Sequence, residues 1–242
     1  MPNTKIGEQL QNNRLFKIAE ILGLFALAFA FIKIITPLAG ESPLYKQLFV
    51  GGANMLMLIY IWMGLRLRGD GWKDFGLTFK SISWSEGFKV FLLSLLVMVI
   101  GLAGFIFGSI VMANITGVPE SADMSGYNYL NGNFGLLLLV LGGVYISSSF
   151  SEEVIYRAFL INRVAELGQG TKNATVIAVV LSSIIFGLVH YEWGPMGMVQ
   201  TGFMGLAMAI CYIRLKKRLW ILILAHAYMD TVLMVQLYLA SL

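Results

Sequence analysis

Glu152 and Glu153 stand side by side in Ser151-Glu152-Glu153-Val154-Ile155-Tyr156-Arg157, directly after Phe134 to Phe150, an apolar run with no charged residue. A charged side chain at the middle of a bilayer costs roughly 2.5–3.5 kcal/mol on insertion scales, so acids in such a place mark function and need partners. Glu153 and Arg157 are one α-helical turn apart on one face and can pair. Glu152 points about 100° away and has no cation on its own face. Both histidines of the chain also fall in or beside apolar runs. His190 ends Phe186-Gly187-Leu188-Val189-His190, and His226 begins His226-Ala227-Tyr228-Met229-Asp230. Asp230 lies one turn from His226 on its face. Carboxylates and imidazoles held in hydrocarbon transfer protons, ligate a metal ion or relay charge.

The elements that must position these groups are membrane helices. The chain of 242 residues is 58% hydrophobic and 12% charged, where soluble domains carry about 25% charged residues. The expected fold is all-α: one polytopic bundle over residues 1–242 with about seven transmembrane helices. The spans expected are Phe16–Thr36, Leu48–Leu67, Phe88–Ala113, Phe134–Val164, Ala174–His190, Met196–Ile213 and Leu219–Leu239, each long enough for about 30 Å of hydrocarbon. The first follows a polar start and is too long for a signal peptide, so it reads as a retained span. The only ionisable groups this reading places in the membrane with a purpose are Glu152, Glu153, Arg157, His190, His226 and Asp230.

All but two of the 17 Lys and Arg residues fall in the N-terminus and the second, fourth and sixth connections; the exceptions are Lys33 and Lys46. The third connection, Asn114 to Asn133, has neither Lys nor Arg and holds Glu120 and Asp123. That alternation places the N-terminus in the cytoplasm. The net charge of +4 therefore serves orientation, and no nucleic-acid partner is expected. One cysteine, Cys211, excludes an internal disulfide and a cysteine-built zinc site. Gly104 and Gly108 form a GxxxG pair suited to close helix packing. Trp193 and Trp220 read as interfacial anchors, whereas Trp72 and Phe75 in the turn-rich second connection read better as generic bundle packing than as interfacial residues.

The fourth and fifth spans form an expected hairpin with its tip at Gly168 to Thr171. Glu152 and His190 are each about nineteen residues from Thr171, which at 1.5 Å per residue gives matching heights. Gly194-Pro195 is a helix break that could shift His190.

Glu152-Glu153-x-x-x-Arg157, Phe186-x-x-x-His190 and His226-x-x-x-Asp230 together resemble the three motifs of the CAAX protease and bacteriocin-processing (CPBP) family, also called Abi, which includes the Ras-converting CAAX endopeptidases. The motif-bearing core runs over 134–239, and Arg68 to Leu77 resembles the basic, Gly-rich loop of the family. Tyr156 and Ala158 stand where Phe and Gly are usual, and Asp230 where Asn is frequent. A carboxylate donates no hydrogen bond unless protonated, so Asp230 is the departure that matters most.

The resemblance implies an intramembrane endopeptidase in which Glu152, with help from His190, activates a water. His226 and Asp230 face the developing oxyanion, and Glu153 with Arg157 supports the helix. No cofactor is favoured. Zn²⁺ is the alternative, with Glu152, His190, His226 and, in a fuller set, Asp230 as ligands. The implied partners are the lipid bilayer and a peptide or protein substrate, prenylated or of the bacteriocin or pheromone type. Apart from the resemblance, the compact chain with its short connections suggests a prokaryotic cell membrane as its place. Two further readings use the same residues: a transporter or proton relay, and an inactive family member that acts by binding, such as an immunity protein.

Overall fold

Long apolar runs bounded by capping residues dictate helices, and helices are what form. The structure is a computed structural model that describes residues 4–78, 81–117 and 125–239; no strand occurs among them. The helices are α1 (Lys5–Asn12), α2 (Arg14–Ile35), α3 (Pro43–Arg68), α4 (Trp84–Thr116), α5 (Phe134–Val144), α6 (Ile161–Leu167), α7 (Lys172–Leu188), α8 (Gly194–Arg214) and α9 (Leu219–Leu239). Two π-helical segments, Tyr145–Phe150 and Glu153–Leu160, join α5 to α6. Side-chain caps start the helices: Ser42 accepts from the Tyr45 N–H, Ser83 from Glu86, Asn133 from Leu136 and Thr171 from Ala174. Each cap satisfies an amide that the helix itself leaves without a carbonyl. Gly69 ends α3 in the left-handed region, with φ 74°.

Among the described residues, six helices are long and apolar enough to cross a membrane: Arg14–Ala39, Pro43–Arg68, Trp84–Thr116, Phe134–Leu167, Tyr191–Arg214 and Leu219–Leu239. The protein is an all-α, multi-pass membrane protein. The seventh expected span is present as α7, with 17 residues, a rod of about 25 Å. It stops two residues before His190, which leaves the helix with φ −90° and ψ 27°. A 3₁₀ turn (Tyr191–Trp193) follows, then Gly194 with φ 69° and Pro195 in the first turn of α8. The expected span Ala174–His190 is therefore too long at its end. The glycine–proline break follows the 3₁₀ turn, with Gly194 held out of the helical region before Pro195. The hairpin tip stands where expected, with Gly168 closing α6 and Thr171 capping α7. Glu120, Asp123 and Lys80 lie outside the described residues.

The chain divides into two compact units. The first comprises Met1–Asp74, Asp123–Ile155 and Asp230–Leu242. Its core gathers Leu130, Leu137, Leu141 and Met234. Near its start, buried Arg68 donates to the Leu10 carbonyl at 2.7 Å, to Asp70 Oδ2 at 3.1 Å and to Glu20 Oε2 at 3.3 Å. Glu20 is a buried acid in the first apolar span, and the sequence reading gave it no role. Its burial is bearable because a guanidinium and further hydrogen bonds accompany it.

The second unit comprises Phe75–Ala122 and Tyr156–Met229. Here α4 crosses α8 at the GxxxG pair. A Cβ on Gly104 would stand 2.7 Å from the Phe203 carbonyl oxygen, and one on Gly108 would stand 2.8 Å from Gln200 Cα. Gln200 also donates to Ser109 at 2.9 Å. Phe75 is buried, in keeping with the packing reading, with the Arg163 guanidinium 5.5 Å from its ring centre. Trp220 ties the same loop down by donating to the Thr78 carbonyl.

Gly108→Leu is expected to destabilise the protein by roughly 1–3 kcal/mol, because backbone atoms of α8 cannot give way as a flexible side chain would. Thermal unfolding in detergent measures this. An unchanged midpoint would show that the crossing does not depend on the glycine.

Candidate active site

The acidic motif sits between two π-helical segments. A π-turn bonds residue i to i+5 and is rare outside functional sites. It needs local support, and polar side chains give it. Ser151 Oγ donates to the Ile146 carbonyl at 2.6 Å, and Asn54 of α3 donates to the Ser147 carbonyl at 2.8 Å. In the second segment Ser182 donates to the Tyr156 carbonyl at 2.7 Å, and Asn162 to the Ala158 carbonyl at 2.6 Å. Glu153 and Arg157 were expected one α-turn apart. They lie in the second π-segment, where the turn is wider.

Burial separates the two acids. Glu153 is 0% exposed, whereas Glu152 is half-buried with its Oε2 shielded from solvent. Glu152, Glu153 and Asp230 belong to the first unit, while Arg157, His190 and His226 belong to the second. In the first unit Ser149 donates to Asp230 Oδ2 at 2.7 Å, and the hydroxyls of Tyr145 and Thr231 meet at 2.8 Å. Asp230 is thus an acceptor held by a buried serine. Ser149→Ala is expected to lower stability by about 1.5–3 kcal/mol, the range for a hydrogen bond to a charged group, and Ser149→Thr to recover it. Equal unfolding midpoints for all three proteins would remove Ser149 from this role.

In the second unit both histidines surround one ring. Phe186 is fully buried, with its ring centre 4.8 Å from that of His190, 6.5 Å from His226 and 5.0 Å from Tyr156, each edge to face. The Arg157 guanidinium lies 4.2 Å from the same ring centre. Arg157 is 1% exposed, and a desolvated cation–π contact of this kind contributes about 2 kcal/mol. Beneath the ring, a Cβ on Gly205 would stand 2.7 Å from Phe186 Cδ1. The ring is therefore clamped between α8 and the motif helix.

His190 Nδ1 lies 2.7 Å from the Phe186 carbonyl oxygen. A carbonyl only accepts, so Nδ1 carries the proton and neutral His190 keeps its lone pair on Nε2. Trp193, expected as an interfacial anchor, packs edge to face on His190 at 5.2 Å. His226 is buried on α9. Asn54, Ser149 and Ser182 were missed by the sequence reading. Their signal was there to see, as polar residues inside apolar spans: Asn54 alone, Ser149 within Ser147-Ser148-Ser149 and Ser182 beside Ser183.

Residues 132–232 match the model of a family described as type II CAAX prenyl endopeptidase Rce1-like. Over this segment the chain is similar to the Rce1-like family. The match covers less than half of the 242 residues but contains all three motifs, and the CPBP resemblance is borne out. No curated protein and no solved structure matches the chain. The Rce1-like family is one of membrane proteases. At that level the domain supports peptidase activity on a peptide or protein substrate in the bilayer.

The residues of a catalytic zinc site can be weighed within each unit. Such a site takes three protein ligands. Within neither unit do three His, Cys, Asp or Glu side chains gather to hold a metal ion, among the described residues. The unit with both histidines offers two imidazoles.

Proposed function

We propose that this protein is an intramembrane endopeptidase that hydrolyses a peptide bond of a membrane-associated, CAAX-type substrate in a prokaryotic cell membrane. The observation that carries the reading is the Rce1-like match over a segment holding Glu152, His190, His226 and Asp230 together. In this reading Glu152 takes a proton from a water molecule whose hydrogen bond His190 Nε2 accepts. The resulting hydroxide adds to the scissile carbonyl carbon. His226 donates to the oxyanion, and each such donor is worth about 2.7–4 kcal/mol. Glu152 then returns its proton to the amine as the C–N bond breaks. Asp230 accepts the hydrogen bond that Ser149 donates, and its role is to orient. Glu153 and Arg157 support the helix. No step is routed through a metal ion.

The test uses the purified full chain in lipid vesicles with a farnesylated CAAX peptide, and mass spectrometry for the released C-terminal peptide. Release that resists 1,10-phenanthroline is the expected result. Loss of release under the chelator, restored by added Zn²⁺, would replace the glutamate scheme. No release of any prenylated or unprenylated peptide by folded protein would overturn the assignment.

A further inference from the structure

Helices α4 and α8 run antiparallel through their crossing: the Cβ positions of Gly101, Gly104 and Gly108 face Met208, Phe203 and Gln200 in turn. Helices that cross at an angle diverge away from the contact. Toward the start of α4 and the end of α8, a groove of about 450 Å³ opens, lined by Leu93, Leu96 and Ile100 on one side and Ala207 and Ile210 on the other. Such a volume lies within the roughly 300–1,000 Å³ of ligand sites. The groove faces outward: Leu96 is 55% exposed and Ile210 47%.

Its one charged lining residue, among the described residues, is Arg214. Lys89 stands one turn before Leu93 on the same face of α4, and Lys216 follows Arg214 by two residues; all three cations are exposed. No acid lines the groove. Arg214 lines the groove with its apolar stem and is itself exposed, so an aliphatic channel ends beside a solvent-facing arginine. This is complementary to an acyl chain ending in a phosphate, which arginine can bind through paired N–H groups. We propose that the α4–α8 groove binds one anionic diacyl phospholipid, with an acyl chain along the groove and the phosphate on Arg214 and Lys89. Ordinary annular lipid would cover any apolar face. The cationic end instead selects among headgroups, because a basic residue near anionic lipid contributes about 1 kcal/mol.

The test is native mass spectrometry of the purified full chain with an equal mixture of phosphatidylglycerol and phosphatidylcholine of matched acyl chains. The phosphatidylglycerol adduct should exceed the phosphatidylcholine adduct by about fivefold. Arg214→Gln, a surface change, should bring the ratio close to one. Ile210→Trp, which fills the groove, should reduce both adducts. Lys172→Gln, an exposed cation on α7, should leave the ratio alone. A wild-type ratio near one would overturn the proposal. So would an Arg214→Gln protein that keeps the wild-type ratio, or a Lys172→Gln protein that loses it equally.

Discussion

Glu152→Gln is expected to cut release from the CAAX-type peptide by roughly 10⁴-fold, the upper end of what a positioned base contributes. The amide matches the carboxylate in shape and still forms hydrogen bonds, so what disappears is the capacity to take a proton. Stability should hardly move, because Glu152 is half-buried. Its neighbour should behave in the opposite way. Glu153 is 0% exposed and Arg157 1%. Replacing a fully buried carboxylate by an amide disturbs the groups that satisfy it, a loss of about 1–3 kcal/mol. Glu153→Gln should therefore unfold at a markedly lower temperature and lose turnover only in proportion to the unfolded fraction. Turnover and unfolding midpoint, measured on both variants, separate a chemical role from a structural one. A Glu152→Gln protein with full turnover would sink the proposed mechanism, and a Glu153→Gln protein inactive at an unchanged midpoint would transfer the base role to Glu153.

The helices were legible because each apolar run is long; their starts at Pro43, Trp84 and Lys172, set by the caps Ser42, Ser83 and Thr171, lie two to five residues ahead of the apolar runs that were read. Gly104 and Gly108 announced a close crossing by their spacing alone, and the crossing is there. The order of the three motifs announced the family. Hydrogen-bond register left no such trace. Between Tyr145 and Leu160 there is neither Gly nor Pro, so nothing in the composition marks the change from α to π. Its supports come from far along the chain, as with Asn54 reaching Ser147. The pairing of Glu20 with Arg68 was hidden for the same reason, since a contact across 48 positions has no local signature. His190 fell outside its helix because α7 ends at Leu188 and a short 3₁₀ turn follows, and apolar length alone does not show where that turn begins. Phe186 was visible only as a member of an apolar run. That it carries both imidazoles and a guanidinium follows from α7, α9 and the motif helix meeting at one ring.

Phe186→Ala is expected to lower stability by about 3–5 kcal/mol, as for other fully buried phenyl rings. The fold should loosen at the point where Tyr156, His190 and His226 each touch the ring edge to face. Below the unfolding temperature, turnover should fall by about 10²-fold with little change in KM, the effect of reacting groups displaced by an ångström. Phe186→Leu separates volume from ring character. It keeps most of the apolar bulk, so its stability should recover to within about 1.5 kcal/mol of wild type. It still removes the face over which Arg157 lies at 4.2 Å. If the ring only fills space, Leu restores turnover along with stability. If the ring aims the imidazoles and the guanidinium, Leu folds well and turns over as poorly as Ala. The second outcome is expected, because edge-to-face contacts fix ring angles that an aliphatic side chain leaves free. Gly205→Ala offers an approach from beneath, where the new methyl would press on Phe186 Cδ1 at 2.7 Å without altering the ring's chemistry. Wild-type turnover and midpoint in all three variants would mean that the histidines are held by something other than this ring.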